Sequence, residues 1–429
     1  MTISAELSKL EAKRLPLVPN YPPFKQWKRA AVKETLEAKP LCLYIHIPFC
    51  TQRCSFCYYK TVDLKERPEV EGYVETLCKE IEMVSDRFDL ANRPIHAVYF
   101  GGGTPSLLKE PQLFKIVETL GKNFKFFENK KQFSFEAEPL TISKSKLETM
   151  ANLGVNRLSM GMQSFVDEII KLSGRGHNEK QAYRAINLAQ KAGEGKWNIN
   201  IDLLSGLAGE TDETWHQSVE RAIETGVESI TVYKMEAFAN TEVYQTGVRE
   251  DVVQLPSEDQ ELKFMEYAME RFGRANYLPW SHFTYTKDGC DKSEYIYNIW
   301  QGMDFYGLGV SAFGTMGDSI LQNTSDLEKY AEIVDSGQLP LARGYNLTSL
   351  DMMVRDVLLG MKLLRLDLER LKKHYGFNLK TLCASVLTDL ELDGFISVSD
   401  SAIELTSKGI LYGDFVGVTL SDYLKKSYG

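Results

Sequence analysis

Short apolar runs alternate with longer amphipathic stretches through the first half of the chain. Leu41-Cys-Leu-Tyr-Ile-His-Ile47 is compact and strand-like, and a helical pattern runs from about Val70 to Phe88. Further strands are expected at Ala97–Phe100, Gln132–Glu136, Arg157–Met160, Asn198–Asp202 and Glu228–Tyr233, with helices between them at Gln181–Ala192 and Glu213–Thr225. Repeated β and α elements with short connections predict an α/β fold, a parallel sheet with helices outside. Reactive residues in such a sheet are expected where the strands end, at the C-terminal rim.

The flanks read differently. Residues 1–40 are polar and broken by Pro16, Pro19, Pro22 and Pro23, a leader expected to wrap the next domain. The core pattern fills 41–245, and the rhythm weakens over 246–348, where a helix is expected at Leu255–Tyr277. From residue 349 to 429 the chain turns helical, at Met352–Leu364, Leu366–Tyr375 and Leu379–Gly394, then shows a hairpin at 395–405 and a last helix at Thr406–Lys426. That order is a winged-helix-like α+β pattern. Asp367, Glu369, Asp389, Glu391 and Asp393 make it a poor DNA binder, so a lid or docking role is expected.

Charge narrows the picture further. A net charge of −9 without long runs excludes broad attraction to nucleic acid or an anionic membrane. No stretch of 18 apolar residues suggests a membrane span, and the charged residues Glu6 and Glu11 disfavour a targeting peptide. Seven cysteines, three of them clustered, do not form a disulfide framework, so a reducing, cytoplasmic setting is expected.

Those three, Cys50, Cys54 and Cys57, are spaced C-x3-C-x2-C directly after the first strand. Three thiolates on one loop suit three irons of a [4Fe-4S] cluster and leave the fourth iron open, whereas closed structural sites take four ligands. Tyr58, Tyr59 and Lys60 follow at once and the next cysteine is Cys78, which weakens a zinc reading. The motif, with Tyr44-Ile-His-Ile-Pro-Phe-Cys50, Tyr99-Phe-Gly-Gly-Gly-Thr-Pro-Ser106 and Asn156-Arg-Leu-Ser-Met-Gly-Met-Gln163, resembles the radical S-adenosylmethionine (SAM) superfamily. Within it, the chain is similar to the branch holding oxygen-independent coproporphyrinogen III oxidase, the related haem chaperone, anaerobic haem-degrading enzymes and class C methylases and cyclopropanases.

The resemblance implies a partial (β/α)6 barrel with extra strands and the branch's small C-terminal domain. It implies a [4Fe-4S] cluster on Cys50, Cys54 and Cys57, one or two molecules of SAM, and an electron donor such as flavodoxin or ferredoxin. Phe56 is then expected near the adenine, Gly102, Gly103 and Thr104 near the methionyl amino group, and Glu136, Gln163, Arg175 and Asp202 around SAM. Tyr44 and His46 are expected beside the reacting centre. Two departures bear on the substrate: Tyr59 stands where the oxidase has a fourth cysteine, and Glu236 lies in a stretch that is more apolar in the chaperone. Three readings follow. The leading one is a coproporphyrinogen oxidase-like enzyme acting on a tetrapyrrole; the others are a class C methylase or cyclopropanase of an aromatic or olefinic metabolite, and a haem chaperone.

Overall fold

The computed structural model describes residues 12, 14–15, 20–28, 40–65, 69–125, 132–193, 195, 197–248, 253–289 and 291–428. Six strands run parallel in chain order: β1 (Leu41–Ile47), β2 (Ile95–Gly102), β3 (Gln132–Ala137), β4 (Arg157–Gln163), β5 (Asn198–Ser205) and β6 (Ser229–Lys234). Beyond β6 the sheet turns antiparallel, with β7 (Tyr277–Pro279) at the edge and β8 (Thr284–Lys287) between it and β6. On the other side β9 (Asp304–Leu308) lies parallel to β1, followed by antiparallel β10 (Phe313–Met316), β11 (Ser319–Asn323) and β12 (Leu341–Asn346). The two ends of this 12-stranded sheet do not pair with each other, as a partial barrel requires.

The two faces of the parallel strands differ in chemistry with a period of two residues. Leu43, Ile45, Val98, Phe100, Phe133, Phe135, Leu158, Met160, Ile199, Ile201, Ile230 and Val232 point to the helices and form the main core. Each fully buried aliphatic side chain contributes about 1.5–3 kcal/mol there. The alternating positions are polar or aromatic: Tyr44, His46, Tyr99, Glu136, Ser159, Asn200, Asp202, Thr231 and Tyr233. Parallel strands covered on both sides are ordinarily apolar on both faces. A polar inner face therefore marks this side of the sheet as a place for a ligand.

The segment 246–348 closes that inner face from below. Helix Glu294–Trp300 lies against β1 and β2, with the Tyr295 ring 6.2 Å from Tyr44, 5.1 Å from Tyr99 and 6.1 Å from Phe305. Just before it, Asp291 accepts from Arg157 Nε at 3.2 Å and from Asn198 Nδ2 at 2.9 Å, and Gln132 Nε2 donates to the Lys292 carbonyl at 2.9 Å. The N-terminal strand ends are thus plugged, and the open mouth lies at the C-terminal ends.

A second core gathers Val354, Val357, Leu371, Leu387, Ile403, Val416 and Leu420 around helices Ser349–Gly360 and Phe415–Tyr428. Its small sheet has β13 (Arg365–Asp367), β14 (Ile396–Val398) and β15 (Ala402–Leu405) in the order β13-β15-β14. Three expected helices are cut short for local reasons. Leu366 pairs with Ile403 as a strand, and the helix starts only at Leu368, capped by the Asp367 side chain accepting from Arg370 N. Helix Glu258–Arg274 stops before Asn276, whose φ of +63° turns the chain into β7. The last helix is broken at Gly413, where φ is +62° and a Cβ would stand 2.9 Å from the Leu15 carbonyl. In its described part the leader meets several elements: Lys234 Nζ donates to the Arg14 carbonyl at 3.3 Å, Trp27 packs on Ile320 and Leu347, and Leu15 and Tyr21 pack on the C-terminal core. The rest of it falls outside the described residues.

Candidate active site

The cluster loop leaves the sheet at Pro48. Phe49–Cys50 pairs in parallel with Val62–Asp63, so the three cysteines sit on a loop closed at its base. Backbone bonds from distant segments hold it: Gly103 N to the Ile47 carbonyl at 2.8 Å, Thr104 N to Phe49 O at 2.8 Å, Ser55 N to Ser173 O at 3.0 Å and Val243 N to Ser55 O at 2.9 Å. All three thiols are free and half-buried. Thr104 Oγ1 donates to Cys50 Sγ at 3.6 Å, and Arg175 Nη1 stands 3.7 Å from Cys54 Sγ. Burial pushes the Cys50 thiol up to about 11 and raises Cys57 as well. An iron bound there reverses that preference, because a coordinating thiol is deprotonated outright.

The glycine run lets two backbone segments pack closely. A Cβ on Gly103 would lie 2.6 Å from Phe49 O and 2.8 Å from Pro48 C, and one on Gly102, at φ +117°, would lie 2.6 Å from His46 Cε1. The missing side chains let β2 dock against the root of the cluster loop. The freed Gly102 amide donates to Glu136 Oε2 at 3.1 Å, and Tyr99 donates to Glu136 Oε1 at 2.8 Å. Burial raises the Glu136 carboxyl to about 7, with neighbouring Asp202 adding to the rise. Asp202, raised by burial to about 6, accepts from Asn200 Nδ2 at 2.8 Å and Ser159 Oγ at 3.4 Å.

Arg175 is no surface residue. Its Nη2 donates to the Gly161 carbonyl at 2.7 Å and lies 3.6 Å from Glu138 Oε1, and its side chain is only 9% exposed. Gln163, on a bulge between β4 and β5 with φ +67°, folds its amide back over Gly161. Strained backbone at such a point is held by the surrounding contacts and clusters at functional sites. His177 Nδ1 joins the same group, 3.4 Å from Glu138. Burial raises the Glu138 carboxyl, but His177 and Arg175 outweigh it and hold the group below the usual range.

Tyr44 and His46 meet each other, with Tyr44 Oη 3.2 Å from His46 Nδ1. Burial lowers His46 to about 4, so the ring is neutral, and its buried Nε2 has no partner. Phe56 sits apart, against Ile169, Leu204, Leu207 and Met235 at the ends of β5 and β6. The mouth therefore has two walls, one of tyrosines and carboxylates over β1–β3, the other apolar around Phe56.

Residues 44–222 match the radical SAM superfamily model. That span is a radical SAM domain. Residues 347–412 match the HemN C-terminal domain. The haem chaperone HemW of Bacillus subtilis is 29% identical over 87% of this chain and 97% of its own length. The oxygen-independent coproporphyrinogen III oxidase of Escherichia coli is 28% identical over 90% of this chain and 87% of its own length. The solved structure of coproporphyrinogen III oxidase (HemN) from Escherichia coli superimposes with a TM-score of 0.81 at 25% identity, covering 98% of each chain. Radical SAM proteins use a [4Fe-4S] cluster and SAM. The donor set fits: three free thiols on one loop, with a guanidinium beside Cys54. Among the described residues no three His, Cys, Asp or Glu side chains converge on a single ion. A cubane takes each thiolate at a separate iron. No described helix is long and apolar enough to cross a membrane.

Sequence reasoning missed Tyr99, Tyr233, Tyr295 and Asn200, and it passed over Glu138. The strand residues among them carried a readable signal, polar or aromatic groups at every second position of otherwise apolar strands. Glu138 and Tyr295 carried none, because their partners lie far away in sequence.

Proposed function

We propose that the protein is a radical SAM enzyme that cleaves SAM reductively and acts on a ring-bearing small molecule seated in the mouth above β1–β6. The observation that carries this reading is the polar inner face, closed below by helix Glu294–Trp300 and capped by a three-thiol loop. Cys50, Cys54 and Cys57 would hold the cluster. Glu136, Gln163, Arg175 and Asp202 would surround SAM, and Phe56 offers an apolar wall for its adenine. Once loaded, the cluster and SAM supply a 5′-deoxyadenosyl radical. The chain's own part is to orient and to exclude water: Glu138 and His177 hold the Arg175 fork, and Tyr99 with the Gly102 amide fixes the Glu136 carboxylate.

The relatives support a tetrapyrrole substrate and oxidation in the manner of coproporphyrinogen oxidase. One observation favours a second reading, carbon transfer to an aromatic or olefinic metabolite. Propionate groups need cations, and two at the C-terminal strand ends are already paired: Arg175 with Glu138, and Lys234 with Glu236 and Glu261. A flavodoxin or ferredoxin would supply the electron in either case.

The test is anaerobic reconstitution with iron and sulfide, then dithionite and SAM with and without coproporphyrinogen III. 5′-Deoxyadenosine that rises with the porphyrinogen, together with carbon dioxide, identifies the oxidase. S-Adenosylhomocysteine formed alongside 5′-deoxyadenosine with an aromatic substrate identifies carbon transfer. Cys54→Ala is expected to abolish both iron retention and SAM cleavage; survival of either overturns the ligand assignment. Stoichiometric haem binding without SAM cleavage in the wild-type protein refutes the enzymatic reading in favour of a chaperone.

A further inference from the structure

Among the described residues nine large apolar side chains are exposed, and five of them, Tyr58, Tyr59, Leu140, Leu172 and Phe238, lie on the three-cysteine loop or on segments that touch it. The Leu172 carbonyl accepts from Ser55 Oγ at 3.4 Å, and Ser55 N donates to the next carbonyl, Ser173 O, at 3.0 Å. Gln52 Nε2 donates to the Gly174 carbonyl at 2.9 Å. A Cβ on Gly176 would meet Gln52 Nε2 at 3.2 Å and Leu140 Cδ1 at 3.4 Å, which sets Leu140 beside the same loop. Further along, Asn240 Nδ2 donates to the Tyr58 carbonyl at 2.9 Å, and the Phe238 ring lies 4.7 Å from that of Tyr58. Apolar side chains gathered at one place on a surface mark an interaction site.

The place matters because of what it borders. Thr51, Gln52 and Arg53, the residues between the first two thiols, face water. Helix Glu294–Trp300 closes the inner face from below, and under the proposed function SAM and substrate fill the mouth. A protein that delivers an electron must come close to the metal, because tunnelling decays exponentially with distance. The water-facing tip with its apolar border offers that approach. It is also held in place: Arg53 Nη2 donates to Cys57 O at 2.9 Å and to Asn240 O at 3.4 Å, and Val243 N donates to Ser55 O at 2.9 Å. A surface ordered beforehand loses little entropy when a partner docks.

Charge decides which carrier fits. The chain as a whole stands at −9, so an acidic protein is repelled by most of it. Between Cys50 and Cys57 the one charged residue is Arg53, which donates to two backbone carbonyls. On the segments bonded to the loop, Glu138 faces Arg175 and His177, Asp167 accepts from Glu179 N at 2.7 Å, and Glu236 is paired with Lys234. Exposed Glu168 and Glu242 are matched in number by exposed Lys171 and Lys60, so Arg53 leaves the centre of the patch positive. Arginine and aromatic residues at the middle, with mixed charges around them, are the composition of protein interfaces. We propose that Arg53, Leu140, Leu172, Tyr58 and Phe238 form the docking surface for a small acidic electron-carrier protein. The carrier gives up one electron there and the cluster takes it. This rests on the function proposed above and places its electron donor at the outer tip of the loop.

The probe is a dye-labelled flavodoxin, titrated with the reconstituted full chain and read by fluorescence anisotropy. Binding is expected, and it should weaken by about tenfold between about 0.05 and 0.5 M salt. Leu172→Asp is expected to weaken it by about tenfold and Lys171→Glu by about threefold. Leu140→Asp gives the same reading where Leu172→Asp does not fold, as judged by its melting curve. Leu392→Asp is the control: that side chain is 80% exposed on helix Ala384–Leu392 of the C-terminal core, and its replacement should leave binding unchanged. With reduced flavodoxin as donor, Leu172→Asp should slow 5′-deoxyadenosine formation, and with dithionite it should match the wild type. No binding by the wild-type protein, equal binding by the folded Leu172→Asp and Lys171→Glu variants, or equal slowing with both reductants overturns the proposal. Formation of 5′-deoxyadenosine by the wild-type protein with dithionite reads the proposed function separately: its absence overturns that function, and the anisotropy result then stands by itself.

Discussion

Gly103→Ala tests whether the glycine run exists to seat the cluster loop. The added Cβ meets Phe49 O at 2.6 Å and both Pro48 C and Pro48 O at 2.8 Å, all backbone atoms that no rotamer change can move. Relief requires the chain at Pro48–Phe49 to shift, which loosens the 2.8 Å bonds from Gly103 N to Ile47 O and from Thr104 N to Phe49 O. Overpacking of this kind costs about 1–3 kcal/mol and each of the two weakened bonds about 0.5–1.5 kcal/mol, so a loss of roughly 2–6 kcal/mol is expected. Against a total stability of about 5–15 kcal/mol that is a large shift in a urea midpoint. Cys50 is the residue after Phe49, so the displacement reaches a proposed cluster ligand, and iron retention after reconstitution should fall with stability. Gly273→Ala is the matched control: it lies in helix Glu258–Arg274 with nothing within 4 Å of its Cβ position, and a gain of up to about 1 kcal/mol is expected. Equal urea midpoints and equal iron content in Gly103→Ala and wild type would refute the reasoning.

Three other predictions follow from the electrostatics. Glu136 holds its proton up to about 7, and SAM carries positive groups, so SAM affinity should rise as pH climbs through that value. Glu136→Gln should flatten the profile, as measured by equilibrium dialysis; an unchanged inflection would assign it to another group. Glu138→Gln removes the ionised partner of Arg175 and His177, and is expected to raise the SAM concentration needed for half-maximal 5′-deoxyadenosine formation by about tenfold, equivalent to about 1.4 kcal/mol. Because the Glu138 carboxyl is depressed in the folded state, its contribution to stability is present above the ordinary carboxylate range and is lost as pH falls through its own lower value. Lys362→Met takes from the buried Asp414 the ammonium whose hydrogen bonds its Oδ1 and Oδ2 accept at 2.6 and 2.5 Å, and is expected to cost about 3–5 kcal/mol in a urea melt. Replacing both partners, Lys362→Met with Asp414→Leu, should recover much of that loss, and a double variant no more stable than the single one would show the pair is not the cause.

The legible part of this protein is the local part. Strand positions could be read because apolar residues recur at every second place on the helix-facing side, from Leu43 and Ile45 in β1 to Ile230 and Val232 in β6. The three-cysteine loop could be read because Cys50, Cys54 and Cys57 lie close together in the sequence, directly after a strand. What the tertiary structure alone decided are the partnerships between distant segments. Arg175 leaves the surface only because β4 brings Gly161 beneath it and the turn after β3 brings Glu138 to its side. Tyr295 seals the inner face only because the chain doubles back to lay β9 beside β1. Tyr58 and Tyr59 are exposed on a loop whose tethers include the distant Asn240, donating to the Tyr58 carbonyl. Periodicity and spacing act along the chain and are printed in it. Burial, pairing and charge at this site depend on loops closed over tens to hundreds of residues, and no local pattern encodes which of those closures is made.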